Sequence, residues 1–157
     1  MLNTIGSILK EKKTPKLISV APSASVAEAV RAMNDNNIGS VLVMDGQSLL
    51  GIFTERDVMS RIVGANRNPT ATLVSEVMTT PVRSVGLTAT ADDALRLMSD
   101  RRHRHLPVLE NGQVRGLVSM GDITRCYIRS QQEQVDTALR AVKQMAMSNR
   151  RGSSRTV

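Results

Sequence analysis

Two segments of the chain repeat one another at a constant offset. Residues 51–57 (GIFTERD) and 116–122 (GLVSMGD) each read as glycine, two apolar residues, a hydroxyl residue, two variable residues and aspartate. The offset is 65 residues from Gly51 to Gly116 and again from Asp57 to Asp122. It extends backwards without a gap through pairs such as Val20 with Val85, Ser25 with Thr90, Ala29 with Ala94 and Met33 with Met98. A repeat of this length predicts two copies of one structural unit that pack on each other.

The hydroxyl and the aspartate of each motif stand where a strand is predicted to run into a helix. A Thr or Ser followed three residues later by an acidic residue is typical of a capping box, which satisfies N–H groups at a helix start. Capping alone would explain Thr54 with Asp57 and Ser119 with Asp122. The same turn is also typical of nucleotide sites, because the first N–H groups attract phosphate and a nearby carboxylate can accept from ribose hydroxyls. The presence of the motif in both copies favours a site.

Local patterns predict the same elements in both copies. Capping boxes, Ser25 with Glu28 and Thr90 with Asp93, each begin a helix with an apolar face. Turn signals of the Asp-Gly or Asn-Gly type then predict a hairpin in each copy. The hairpins comprise residues 40–44 with 49–53, joined at Asp45-Gly46, and residues 106–109 with 114–118, joined at Asn111-Gly112. The predicted order is therefore strand, helix, strand, strand, helix, twice.

The second closing helix is predicted to be much longer than the first. The first is expected over residues 54–63, with Gly64 as a left-handed C-cap. From Ile123 onwards the second has no Gly or Pro before Gly152, and its apolar residues continue at spacings of three, four or seven. A helix of roughly 25 residues needs a partner for its apolar stripe. That partner is either the chain's own module or a second copy in a homodimer, and the sequence leaves both open.

Two further stretches accompany the motifs, residues 104–108 (RHLPV) and residues 77–82 (VMTTPV). With both motifs they make the chain resemble a tandem pair of CBS (cystathionine-β-synthase) domains, regulatory modules also found in IMP dehydrogenases, chloride channels and kinase subunits. The resemblance covers about residues 14–130. It implies an α/β fold of two β-α-β-β-α CBS repeats, packed as a pseudo-two-fold module, and a stand-alone regulatory protein of the bacterial type.

The predicted domain boundaries follow from these elements. A short lead-in helix occupies residues 1–13, and the two repeats occupy residues 14–72 and 73–130. Residues 131–148 extend the last helix, and residues 149–157 are predicted to be a disordered basic tail.

The resemblance implies an adenine nucleotide as regulatory ligand, AMP, ADP, ATP or NAD(H), bound in clefts between the repeats. Asp57 and Asp122 would then contact ribose, and Thr54 and Ser119 would contact a hydroxyl or a phosphate. Arg56 has the bidentate geometry that suits a phosphate, or it is a solvated helix arginine.

The resemblance also places residues of the first and second strands at the adenine. In the second strands these are Ile38, Gly39, Ser40 and Val41 in one copy and His103, Arg104, His105 and Pro107 in the other; at the starts of the first strands they are Lys16, Leu17 and Val82. Arg104 stands where the first copy has Gly39, a departure from the family pattern. His103 and His105 are too few for a zinc site, so no metal is predicted, and they are expected to contact nucleotide phosphates or to lie on a surface.

The positive charge of the chain raises a second hypothesis, nucleic-acid binding. The net charge is +7 and the isoelectric point is near 10.5. However, the chain has no Trp, and Phe53 and Tyr127 are its only aromatic residues, so the stacking platform that binds single strands is missing. A third hypothesis is a structural partner subunit that docks by its C-terminal helix onto an unknown effector protein.

Catalysis, membrane insertion and secretion find no support in the sequence. Cys126 is the only cysteine and has no His nearby, and no Gly-rich phosphate loop is present. No apolar run has the length of a signal peptide or of a membrane span. We therefore predict a cytoplasmic regulatory protein without enzymatic activity, which forms homodimers and signals its ligand state to an effector.

Overall fold

The computed structural model describes residues 4–12, 17–101 and 103–152. Its elements are α1 (Ile5–Glu11), β1 (Ser19–Val20), α2 (Val26–Asp35), β2 (Ser40–Asp45), β3 (Ser48–Thr54), α3 (Glu55–Asp57) continued by a π-helical segment (Val58–Val63), α4 (Val74–Val77), β4 (Val85–Gly86), α5 (Ala91–Arg101), β5 (His105–Glu110), β6 (Gln113–Ser119) and α6 (Met120–Gly152). The α/β class, the β-α-β-β-α order of both repeats, the short N-terminal helix and the long C-terminal helix are confirmed. The described residues up to Met120 form one compact unit, and α6 from Gly121 onwards forms a second.

Each repeat builds a three-stranded sheet of the same topology. The strand orders are β1-β2-β3 and β4-β5-β6, with a parallel pair followed by an antiparallel hairpin. Val20 pairs with Val43 in the first sheet and Val85 pairs with Val108 in the second, so the strand register keeps the sequence offset. Both hairpins also carry an irregularity directly after that pair, on β2 and on β5.

The first strand of each sheet is shorter than the sequence predicts. Only Ser19 and Val20 belong to β1, and the last bond of the ladder runs from the Leu42 N–H to the Ile18 carbonyl at 3.2 Å. Leu17 and Val82 therefore precede β1 and β4 and do not begin them. Lys16 lies outside the described residues.

The core of the first repeat lies between α2 and its sheet. The buried side of α2 carries Val26, Ala29 and Met33, which pack with Val41 and Phe53 of the hairpin. All five are nearly or fully buried. Four consecutive residues of β2 are buried, which is typical of a strand covered on both faces.

The helix that precedes each repeat packs on the other repeat. The Ile5 N–H of α1 donates to the Ala89 carbonyl at 2.8 Å, and Thr4 forms a bridge with Thr90. Leu9 lies so close to Gly116 that a Cβ built there would be 3.0 Å from its methyl carbons. The segment at residues 4–12 is thus held by the second repeat.

The relation is reciprocal at the start of the second repeat. The Val74 N–H of α4 donates to the Ala24 carbonyl at 2.8 Å, and Leu73 forms a bridge with Ser25. Met78 covers Gly51, where a Cβ would lie 2.3 Å from its sulfur. The helices α1 and α4 are therefore structural equivalents, and each repeat supplies the short helix that covers its neighbour.

The helix that closes the first repeat ends differently from the prediction. Gly64 has φ −64°, so it is not the left-handed C-cap that we expected. Its N–H donates to the Met59 carbonyl five residues earlier, at 2.9 Å, which is a π-type bond. The wide turn brings backbone so close that a Cβ on Gly64 would lie 3.0 Å from the Ser60 carbonyl oxygen. The left-handed residue is Asn66, with φ 52°.

The C-terminal helix α6 is longer than the sequence predicts. It contains 33 residues and continues to Gly152, so residues 149–152 of the predicted tail are helical, and residues 153–157 lie outside the described part. Every residue from 131 to 147 is exposed. Of the described helices, none combines the length and the apolar composition that crossing a bilayer would require.

Candidate functional site

The first motif forms the capping box that its sequence predicts. The Asp57 carboxylate oxygen Oδ2 accepts from the Thr54 N–H and from the Thr54 hydroxyl, both at 2.9 Å. In return, the Asp57 N–H donates to Thr54 Oγ1 at 3.4 Å. Asp57 is only 6% exposed. One carboxylate oxygen is therefore committed to the start of α3.

The second carboxylate oxygen of Asp57 faces the segment that links the two repeats. Asp57 Oδ1 accepts from the Thr79 hydroxyl at 3.3 Å and lies 3.4 Å from Arg61 Nη1. The same nitrogen of Arg61 donates to the carbonyls of Val77 and Met78, each at 2.7 Å. Because both contacts of Oδ1 are long, this oxygen keeps capacity to accept a shorter hydrogen bond from a ligand.

A cavity of about 230 Å³ opens beside Asp57. It brings together seven of the predicted site residues: Gly39, Thr54, Arg56, Asp57, His103, Arg104 and His105. Ile52, Glu55, Ser60, Arg61 and Thr79 complete its lining. Residues 39–61 belong to the first repeat and residues 103–105 to the second, so the cavity lies between the repeats, where the resemblance implies a ligand cleft.

Gly39 gives this cavity one of its walls. Its carbonyl accepts from the Glu55 N–H at 3.1 Å, where α3 begins. A Cβ on Gly39 would lie 3.0 Å from a carboxylate oxygen of Glu55. A Cβ here would require the carboxylate of the exposed Glu55 to move by a few tenths of an ångström.

The charges around the cavity favour an anion at its outer side. Arg56, Arg61 and Arg104 face two carboxylates, Glu55 and Asp57. Arg56 and Arg104 are exposed, whereas Asp57 is buried. Exposed guanidinium groups around a polar cavity suit a phosphate, and a buried carboxylate suits hydroxyl donors. The arrangement has the polarity that a phosphorylated sugar requires.

A second cavity, of about 260 Å³, contains three other predicted residues, Leu17, Ile38 and Ser40. Across it lie Gly116 and Leu117 of the second repeat, with Leu9 and Lys12 of the N-terminal segment, and Ile18, Asn36 and Arg115 complete the lining. The Lys12 ammonium donates to the Leu117 carbonyl at 2.9 Å and so holds α1 against β6. The predicted adenine residues thus divide between two cavities, with Gly39 at the first and its neighbours Ile38 and Ser40 at the second.

The remaining predicted residues lie elsewhere. Val41 and Pro107 are buried within β2 and β5, and Val82 is half-buried ahead of β4. Ser119 ends β6, and Asp122 in α6 forms an ion pair with Arg125 one turn later. Lys16 is outside the described residues. Within the part of the chain that the structure describes, no three His, Cys, Asp or Glu side chains cluster as metal ligands.

Five residues of the first cavity were not predicted from the sequence: Ile52, Glu55, Ser60, Arg61 and Thr79. Arg61 stands four residues after Asp57, the spacing of a helical ion pair, so a local signal existed. Glu55 occupies a variable position of the motif. Thr79 is 22 residues from Asp57, and only the folded structure brings the two together.

Comparison with known proteins identifies the family of the chain. A sequence model of the CBS domain matches residues 6–64 and 74–129. The CBS domain-containing protein CBSX3 of Arabidopsis thaliana, a mitochondrial protein, is 33% identical over 116 residues, which are 71% of this chain. The chain spans 56% of that protein and 23% of a second Arabidopsis relative, CBSCBSPB3.

Solved structures agree with the fold. A CBS-domain protein from Burkholderia ambifaria MC40-6 is 38% identical, with a TM-score of 0.79 over 82% of this chain and 96% of that one. CBSX2, solved in complex with AMP, is 23% identical, with a TM-score of 0.68 over 82% of this chain and 98% of that one.

Proposed function

The chain belongs to the family of CBS domain proteins, and on that premise we propose that it is a regulatory module that binds an adenine nucleotide in the cavity between its repeats. The observation that carries the proposal is Asp57. It is buried, lines the cavity, and has only long contacts at Oδ1. Helix capping explains the hydrogen bonds of Asp57 Oδ2. It does not explain why the second repeat brings His103, Arg104 and His105 to the same cavity.

In the proposed complex the ribose lies against Asp57 and the phosphate lies toward the arginines. Ribose hydroxyls donate to Asp57 Oδ1, and Thr54 supplies the neighbouring hydroxyl. Arg56 and Arg104, one from each repeat, bind the phosphate, with His103 and His105 beside them. A ligand held in this way contacts both repeats at once, so its binding stabilises their folded arrangement.

Of the candidate ligands AMP, ADP, ATP and NAD(H), AMP receives the best support. The cavity of about 230 Å³ falls below the roughly 300 Å³ at which sites for drug-sized ligands begin. It therefore suits the smallest of the four. The AMP complex of the structurally similar CBSX2 adds support for this class of ligand.

The proposed output is a signal to an effector protein. A ligand shifts an equilibrium between two arrangements only by its difference in affinity for them. Because the proposed ligand bridges the repeats, an arrangement that separates residues 54–57 from residues 103–105 would lose its contacts. We propose the cytoplasm as the location, since Cys126 is the only cysteine of the chain.

Replacing Asp57 by Asn tests the proposed ribose contact. Asp57→Asn keeps the size of the side chain but removes the charge that accepts from two ribose hydroxyls. We expect AMP affinity to fall about 10- to 100-fold, which is a loss of about 1–3 kcal/mol. Isothermal titration calorimetry with AMP measures the change, and ADP, ATP, NAD and NADH are titrated alongside.

A second capping box in the same chain provides the matched control. Thr90 and Asp93 form the same Thr-x-x-Asp bonds at the start of α5, but Asp93 is exposed and does not line the cavity. Asp93→Asn should lower thermal stability and leave AMP affinity unchanged. Equal AMP affinity in folded Asp57→Asn and wild-type protein would remove Asp57 from the site. Absence of a binding signal with all five nucleotides would refute the proposed function.

A further inference from the structure

The second half of α6 carries exposed apolar residues. All residues from 131 to 147, about 25 Å of helix, are exposed. Ile128 and Val142 are 65% and 63% exposed, and Met145 is 72% exposed. Helices in proteins obtain most of their stability from packing of an apolar face. The exposed apolar residues of this segment are therefore available to a partner helix.

A heptad pattern runs along α6 from Ile128 to Ala146. Its positions lie along one line at alternating spacings of four and three residues: Ile128, Gln132, Val135, Leu139, Val142 and Ala146. In heptad notation Gln132, Leu139 and Ala146 are a positions, and Ile128, Val135 and Val142 are d positions. Five of the six are apolar. A strict period of 3.5 residues is the pattern of a coiled-coil seam, and it is narrower than the stripe of a helix that packs on a globular body.

The residues beside the seam distinguish the possible orientations of a partner helix. Between Gln132 and Ala146, Asp136 and Lys143 occupy the e positions, and Ala138 and Met145 occupy the g positions; Arg129 and Gln131 are the e and g positions before this stretch. In an antiparallel pair, where e faces e and g faces g, setting Leu139 against the partner's Val142 brings Asp136 opposite the partner's Lys143. The same register sets Ala138 against the partner's Met145, and two-fold symmetry makes each contact occur twice.

Other arrangements of two copies lose this complementarity. A shift of the antiparallel pair by one heptad sets Asp136 against the partner's Asp136, or Lys143 against the partner's Lys143. In a parallel pair, where g faces e, Ala138 would lie opposite Lys143, and Gln131 opposite Asp136. Between Gln132 and Ala146, only the register around Leu139 and Val142 combines apolar core layers, opposite charges on one flank and apolar contact on the other.

We propose that α6 pairs with α6 of a second copy of this chain as an antiparallel coiled coil, centred between Leu139 and Val142. The pairing buries the apolar stripe of each helix against the identical stripe of the other. It requires no nucleotide, so its success or failure is independent of the function proposed above.

Sedimentation velocity of the full chain over a range of concentrations provides the first test. Wild-type protein should sediment as a dimer, and Leu139→Glu should sediment as a monomer, because the charge is placed in a core layer. Gln144→Glu adds the same charge to the same helix on the side away from the seam, and it should remain dimeric. Circular dichroism and the melting transition of the unit up to Met120 show that both variants are folded. A Leu139→Glu protein with the wild-type dimer dissociation constant, or a wild-type monomer throughout, overturns the proposal.

Charge exchange tests the orientation. Asp136→Lys and Lys143→Asp each convert both ion pairs into like-charge pairs, so each should raise the dimer dissociation constant about tenfold. The double variant restores opposite charges and should regain wild-type affinity. A double variant no tighter than the single ones overturns the antiparallel register, since a parallel pair does not bring these residues together.

Discussion

At the scale of single residues, Asp57 shows how one side chain serves structure and binding at once. Its Oδ2 closes the capping box with Thr54, while its Oδ1 faces Thr79 and Arg61 at longer distances. A carboxylate has about four acceptor positions, so these contacts leave room for ligand hydroxyls. The structural role and the proposed role are therefore compatible, and only variants that separate stability from affinity can distinguish them.

Arg61 connects that carboxylate to the linker between the repeats. Arg61→Ala removes the ion pair with Asp57 and the two 2.7 Å bonds to the carbonyls of Val77 and Met78. Because the Arg61 side chain is 43% exposed, solvent compensates part of the loss, and we expect the free energy of unfolding to fall by about 1–2 kcal/mol. Urea unfolding followed by circular dichroism measures the change.

Arg67 offers a control for this variant, since it is also exposed and belongs to the loop that follows the π-helical segment. Arg67→Ala should unfold at the wild-type urea concentration. If Arg61→Ala does the same, the bonds to Val77 and Met78 do not contribute to stability, and the linker is held by its apolar contacts alone.

At the scale of elements, the helix starts should make stability depend on acid. The backbone N–H and the hydroxyl of Ser25 lower the pKa of Glu28 below its usual value of 4.5. The hydroxyl and then the backbone N–H of Thr90 lower the pKa of Asp93 below 3.8. A carboxyl whose folded pKa is lowered stabilises the fold fully above its unfolded pKa, and this contribution is lost as the pH falls through the folded value.

The double variant Glu28→Gln with Asp93→Asn isolates this contribution. Its melting temperature should lie below that of the wild type at pH 7, and the difference should narrow as the pH falls below about 4. Melting curves between pH 3 and pH 7 measure the difference directly, and other carboxyl groups cancel in it. Parallel curves across the whole range would mean that the two caps are not charge-dependent.

The sequence predicts elements where the deciding interactions are local. The capping boxes at Ser25 and Thr90 and the hairpin turn at Asn111, which has φ 51°, depend on residues within one turn. The π-type end of the first closing helix was not predicted. A glycine is compatible both with a left-handed cap and with a close backbone approach, so the presence of Gly64 does not distinguish the two. Thr79 was missed at the site because its contact with Asp57 spans the linker.

At the scale of the whole molecule, the exchange of short helices explains why the repeats form one unit. Ile5 of α1 is fully buried and bonded to Ala89 of the second repeat, and Val74 of α4 is fully buried and bonded to Ala24 of the first. The sequence did not reveal this equivalence, because the two helices are offset by a different number of residues from the motifs. Thr4 and Leu73 are 69 residues apart, whereas the motifs are 65 residues apart. Each repeat thus depends on a helix that the other one supplies.

That dependence predicts that damage to α1 weakens both repeats. Ile5→Ala removes a fully buried side chain and should lower the free energy of unfolding by about 2–5 kcal/mol. Met59→Ala, at a 72% exposed position, should have no comparable effect.

Hydrogen exchange of amides in β2–β3 and in β5–β6 measures both repeats in one experiment. If the repeats unfold as a unit, protection falls equally in the two hairpins, because the slowest amides of each then exchange through global unfolding. Loss of protection confined to β5–β6 would mean that α1 stabilises the second repeat alone and that the exchange of helices does not couple the two.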